Sequence, residues 1–131
     1  MRIDVHAHYF PTGYAAVLAE SDRPDLAFVG QADDLGDRLA EMDQAGVDVQ
    51  ILSAVGPNLE VPEPAAALRA SRYVNDAYAA LVDKHAGRFR AFAHVPLPHV
   101  EQAVAETERC LGETEAARLG SQWSDEPMGG D

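Results

Sequence analysis

Three times between Ile3 and Leu111 a short run of strand-like residues gives way to a longer stretch with helical spacing. That order constrains the fold more than any other feature, because strands alternating with helices pair in parallel through right-handed crossovers. The first run, Ile3 to His8, alternates apolar and polar side chains, so Ile3, Val5 and Ala7 are expected on one side and Asp4, His6 and His8 on the other. A long connection from Tyr9 to about Asp33 follows, broken by Pro11, Gly13, Pro24 and Gly30, with a short helix expected at Tyr14 to Glu20. Connections of that length inside a compact domain usually carry function.

Leu35, Leu39 and Met42 fall at helical spacing between Asp34 and Ala45, and Gly46 supplies a stop. Val47 to Ala54 then reads as a second strand closed by Gly56-Pro57-Asn58. Pro62 to Pro64 open a longer helix with Leu68, Val74, Tyr78, Leu81 and Val82 on its apolar line and a cap at Gly87. Phe89 to Val95 reads as a third strand stopped by Pro96 and Pro98. His99 to Leu111 reads as a helix whose apolar line is Val100, Val104, Thr107 and Leu111. The fold class is α/β, with residues 1–113 as the folded unit. Residues 114–131 lose all periodicity and are expected to form a disordered tail.

A length of 131 residues suits one domain, and 47% hydrophobic content excludes disorder throughout. Twenty-two acidic against ten basic residues leave a net charge of −12, which repels phosphate backbones and anionic lipid. Neither nucleic acid nor a membrane is therefore an expected partner. No stretch reaches the roughly 20 apolar residues of a membrane span. Asp4 stands where a signal peptide would be apolar. The single cysteine, Cys110, fits a reducing cytoplasm, and its expected role is apolar filler on a helix.

His6 and His8 lie two apart on the first strand, so their imidazoles project from one face and can close on a single divalent ion. Their place at a strand end before a long connection strengthens a pattern that is weak by itself. His94 ends the third strand and is expected either to line a pocket or to be a hydrogen-bonded structural residue. Asn75 and Asp76, in mid-helix, are expected to bond neighbouring backbone or side chains.

Four segments, Ile3 to Pro11, Met42 to Gln50, Arg72 to Asp76, and Arg88-Phe89 through Val95-Pro96-Leu97, resemble the start of an amidohydrolase-related protein. The branch they resemble contains aminocarboxymuconate semialdehyde decarboxylase and the salicylate- and resorcylate-type decarboxylases. The resemblance implies a (β/α)8 TIM barrel, of which this chain would hold about the first three βα units. It also implies a divalent metal, usually zinc, bound by His6 and His8 together with later histidines and an aspartate. The reaction implied is loss of carboxylate from, or hydrolysis of, a small aromatic or unsaturated carboxylic acid, with the main catalytic residues in later strands. Asp4 is expected as an acid behind the metal ligands or at the base of the strand. The resulting expectation is the N-terminal portion of a metal-dependent enzyme, inactive alone, from a shortened or frame-shifted gene. The alternative is a non-catalytic product or split-barrel half that associates with a complementing chain or with itself.

Overall fold

Three short strands form one parallel sheet in the order β1-β2-β3, and every connection between them contains a helix. In chain order the elements are β1 (Ile3–His8), α1 (Tyr14–Ala19), α2 (Leu35–Ala45), β2 (Val49–Ser53), α3 (Pro64–Lys84), β3 (Phe89–Ala91) and α4 (Val100–Gly112). The computed structural model describes residues 1–20, 35–55 and 60–112. The expected tail lies outside these residues, as does most of the connection between α1 and α2. No helix among the described residues is long and apolar enough to cross a membrane.

Register decides which side chains share a side of the sheet. Ala7 pairs with Leu52, and Leu52, Ala54, Tyr9 and Phe89 join the main core cluster with Leu18, Met42, Val74 and Tyr78 from the helices. That side is covered. Val49 and Ile51 alternate with those β2 residues, are buried, and stand outside the cluster. They belong to the opposite, open side. Paired residues of parallel strands point the same way, so Ile3 opposite Val49 and His8 opposite Ser53 are on the open side.

The register shifts between Asp4 and Ala7, and this corrects the simple alternation read from the sequence. Asp4 pairs with Gln50 and Ala7 with Leu52, so three steps along β1 match two along β2, as in a bulge. Asp4 therefore shares the covered side with Ala7 instead of the side of the imidazoles. Ile3, expected with Ala7, lies on the open side and is 45% exposed.

Helix α3 begins where Pro64 occupies the first turn and the Glu63 carboxylate accepts from the backbone N–H groups of Ala65 and Ala66 at 2.9 and 2.7 Å. Those two bonds hold the Glu63 carboxyl below its usual pKa. Gly13, ahead of α1, has φ +92°, and a Cβ there would meet the Tyr73 hydroxyl at 2.6 Å, so glycine alone fits. The Tyr73 hydroxyl itself donates to the carbonyl of Thr12, closing that turn against α3.

Helix α4 turns a different face inward from the one its apolar residues suggest. Ala103, Glu106 and Cys110 are buried, while Val100, Val104 and Leu111 are exposed. The reason is polar. Glu106 is fully buried and accepts from Asn75 Nδ2 at 2.8 Å, Arg109 Nη2 at 2.6 Å and Arg72 Nε at 3.2 Å, so its ion pairs lock α4 to α3 in that rotation. Arg109 reaches on to Asp76 at 2.9 Å. Burial alone would raise the Glu106 pKa, but the hydrogen bonds from Arg109, Asn75 and Arg72 and the charge of Arg109 outweigh it and hold the carboxyl low. Cys110 packs under this group with its thiol pushed up to about 11 by burial, which makes it inert filler.

The third strand is also shorter than the sequence suggests. It ends at Ala91, with Phe92 adding one bond to the Leu52 carbonyl at 2.9 Å. Beyond it, Asn75 captures the backbone of His94 on both sides, accepting from its N–H at 2.7 Å and donating to its carbonyl at 2.9 Å. Those groups are lost to any sheet ladder. Glu106→Ala is expected to lower the unfolding free energy by about 3 kcal/mol, because it strands Arg109 and Asn75 without their acceptor. Chemical denaturation of wild type and variant measures this.

Candidate metal centre

The imidazoles of His6 and His8 converge at the C-terminal end of β1. Their Nε2 atoms lie 3.0 Å apart and their rings stand edge to face, 4.9 Å between centroids. Both side chains are exposed on the open side of the sheet. Each is held from behind. His8 Nδ1 lies 3.2 Å from Ser53 Oγ, and with the hydroxyl accepting from Nδ1–H the His8 Nε2 keeps its lone pair outward. With that tautomer His6 Nε2–H donates to His8 Nε2, and for both Nε2 atoms to take one ion the His6 ring proton moves to Nδ1.

The backbone beneath the pair is fixed from the covered side. Asp4 Oδ1 accepts from the His6 backbone N–H at 3.0 Å, and Arg38 Nη2 donates to the His8 carbonyl at 2.9 Å. The two anchors are linked through Gln50, whose Nε2 donates to Asp4 Oδ2 at 3.1 Å and whose Oε1 accepts from Arg38 Nη1 at 3.1 Å. The Arg38 guanidinium also lies over the Tyr9 ring, 5.5 Å from its centroid. Asp4 thus acts on the strand backbone and touches neither ring.

Two nitrogens 3.0 Å apart can both reach one ion at the usual Zn–N distance of about 2.0–2.1 Å. The donor type suits zinc and similar divalent metals. Among the described residues no group of three or more His, Cys, Asp or Glu surrounds a common point.

His94 lies elsewhere, on the wall of a cavity of about 340 Å³ with Tyr14, Val61, Ala70, Ser71 and Leu97. Its Nδ1 is 2.9 Å from Ser71 Oγ, and burial pushes its pKa down to about 4, against a smaller opposing effect of Glu106. The ring packs edge-on to Tyr14 at 6.1 Å. Tyr14 has no hydrogen-bond partner for its buried hydroxyl among the described residues, and desolvation raises its pKa to about 12. A larger cavity, about 490 Å³, opens beside Asp4, Arg38 and Gln50 on the covered side, away from the imidazoles.

Sequence reasoning missed Ser53, Arg38 and Gln50. Gln50 ends one of the resemblance segments without any role being read from it, Ser53 and Arg38 lie in none, and all three reach the site through the β1–β2 pairing and the packing of α2. Asn75 and Ser71 share one face of α3 at i, i+4 spacing, which is the one local signal that they act together on His94.

The family model for amidohydrolases matches residues 3–131. The gamma-resorcylate decarboxylase of Polaromonas sp. (strain JS666) is 34% identical over 101 residues, which is 76% of this chain and 30% of that enzyme. Among solved structures, the dihydroxybenzoic acid decarboxylase of Polaromonas sp. JS666, with bound manganese and the inhibitor 2-nitroresorcinol, superposes with a TM-score of 0.68 at 30% identity, covering 91% of this chain and 36% of that one. The 5-carboxyvanillate decarboxylase from Sphingomonas paucimobilis superposes with a TM-score of 0.66 at 25% identity, covering 86% and 39%. The chain therefore spans about a third of the length of these relatives. Its three βα units are a partial (β/α)8 barrel of the kind those structures build.

Two outcomes are expected. Ser53→Ala frees the His8 ring and lowers affinity for zinc by about tenfold, read by isothermal titration, with the fold unchanged by circular dichroism. The contribution of His94 to the unfolding free energy is fully present above about pH 6.5 and is lost as pH drops toward 4, because the unfolded chain takes up the proton that folded His94 refuses. His94→Gln is expected to flatten that part of the stability profile in denaturation at a series of pH values.

Proposed function

The chain belongs to the amidohydrolase family, and from that premise we propose that it is the N-terminal part of a metal-dependent decarboxylase acting on a small aromatic carboxylic acid, with His6 and His8 as two of the metal's ligands. The observation that carries this reading is the convergence of the two Nε2 atoms at the C-terminal end of the first strand, the end at which barrel enzymes keep their active sites. The reaction class is supported by the relatives: a gamma-resorcylate decarboxylase, and a 2,6-dihydroxybenzoate decarboxylase solved with 2,6-dihydroxybenzoate, whose structure superposes on this chain with a TM-score of 0.69.

A divalent ion bound here supplies Lewis acidity toward a substrate oxygen. This chain's own residues present and orient the ligands. Ser53 directs the His8 ring, Asp4 holds the His6 amide, and Arg38 holds the His8 carbonyl, so both nitrogens face the open side of the sheet. Zinc is the metal we assign from the imidazole donors. Manganese, which the Polaromonas enzyme carries, is the comparison ion. Two protein ligands fall short of the three that a catalytic zinc site has, so the 131-residue chain by itself is expected to hold metal without turning over substrate. We place it in the cytoplasm, where Cys110 stays reduced.

The test is metal retention. After loading with zinc or manganese and exhaustive dialysis, the chain is expected to keep a divalent ion by elemental analysis, and His6→Ala and His8→Ala each to lose it. The loaded chain is expected to leave 2,6-dihydroxybenzoate unconsumed. Equal retention in the two variants and the wild type would overturn the assignment of the ligands.

A further inference from the structure

Tyr14, on α1, is completely buried, yet its hydroxyl has no hydrogen-bond partner among the described residues. It lines the same cavity of about 340 Å³ as His94, at the end of the sheet where the imidazole pair sits. We propose that this cavity binds a small neutral phenol through Tyr14 and His94, at a site distinct from the metal centre. The choice of a phenol rests on the decarboxylase reading. A hydroxylated aromatic acid that loses CO2 and takes up one proton at the same ring carbon leaves a phenol with no carboxylate.

The cavity is walled by side chains that are themselves buried, among them Ala54, Val61, Ala67, Ala70 and Ser71. Its volume falls within the roughly 300–1,000 Å³ of small-molecule sites, and an apolar wall with a few fixed polar groups is what an aromatic ring bearing hydroxyls fits. Ser71 Oγ engages His94 Nδ1 at 2.9 Å, which leaves Nε2 as the ring's other hydrogen-bonding atom. Asn75 holds the His94 backbone at both its N–H and its carbonyl, so the ring keeps one place. A buried hydroxyl without a partner is costly, and a ligand hydroxyl that pairs with Tyr14 recovers that cost on binding. Charge sets the selectivity. Burial pushes His94 down to about 4 and Tyr14 up to about 12, so both are uncharged at neutral pH. No lysine or arginine lines the cavity among the described residues. A carboxylate entering it gives up its hydration with no cation in return, whereas a phenol gives up far less. The acid is therefore turned away and the neutral phenol admitted. Two contacts link the cavity to the imidazoles: Ala54 follows Ser53, which stands behind His8, and Phe10, two residues beyond His8, stacks on Tyr14 with 6.2 Å between centroids.

Isothermal titration of the full 131-residue chain in EDTA tests this, with amide chemical shifts in nuclear magnetic resonance spectra locating the ligand. The probe is 1,3-dihydroxybenzene, the phenol that 2,6-dihydroxybenzoate leaves on losing its carboxylate. The expected result is one molecule bound per chain, with shifts at Ala70, Ser71 and His94 rather than at His6 and His8. The acid, 2,6-dihydroxybenzoate, should bind at least tenfold more weakly. Tyr14→Phe keeps the ring and its packing and should lower affinity for the phenol about tenfold. Ala70→Leu fills the cavity and should abolish binding, with circular dichroism as the check on its fold. No binding of the phenol at millimolar concentration overturns the site, and does so even where the chain retains zinc, which leaves the metal centre standing. Phenol bound in the cavity by a chain that retains no metal upholds the site and overturns only the roles of His6 and His8. Unchanged affinity in Tyr14→Phe, equal affinity for the acid, or shifts confined to the histidine pair also overturn the site.

Discussion

Everything at the candidate site depends on the register shift in β1 between Asp4 and Ala7. In a regular strand Asp4, His6 and His8 would share one side, and the carboxylate would sit among the imidazoles as a competing hydrogen-bond acceptor. The irregularity instead turns Asp4 toward the helices, where it accepts from Gln50, which in turn accepts from Arg38. From there it grips the strand through the His6 amide. The two rings are left with each other and with Ser53. A pair of nitrogens aimed at one point on an exposed strand end is thus a product of backbone geometry as much as of residue choice.

A second buried polar group does for the far end of the sheet what the first does for β1. Glu106, Asn75 and two arginines sit between α3 and α4, and Asn75 extends the network to both backbone groups of His94. Buried charges are tolerated only when paired and hydrogen-bonded, and this carboxylate has donors from Asn75, Arg72, Arg109 and the Cys110 thiol. The consequence is specificity of packing. Glu106 sets the rotation of α4, and with it the exposure of Val100, Val104 and Leu111; Asn75 takes both backbone groups of His94, beyond the early end of the third strand.

These two groups leave the sheet finished on one side and unfinished on the other. The helices, the main apolar cluster and both polar groups lie on the covered side, while the open side carries the imidazoles, uncovered Ile3 and no acidic strand residue. In a closed barrel that side faces inward and meets the remaining strands. In the relatives, which are about two and a half times the length of this chain, there is ample protein to do so.

Much of the architecture was legible in the order of residues. Period-two and helical spacings place β1, β2, α2 and α3 close to their observed limits, since those patterns follow from local geometry and from which face must be buried. His6 and His8 could also be singled out, because two imidazoles two apart on a strand must project together. The rest required contacts between distant segments. No local rule shows that β1 slips by one residue against β2, that Ser53 stands behind His8, or that Arg38 reaches across from α2 to the His8 carbonyl. Apolar periodicity misreads α4 because a buried ion pair, formed with residues some thirty positions away, outweighs it. The sequence by itself determined the alternating parallel α/β plan and the pairing of two imidazoles at one strand end, for both are written in side chains that lie close along the chain. The tertiary structure alone decided which way each polar group points, because that depends on pairing register and on burial, and both are properties of segments brought together only by folding.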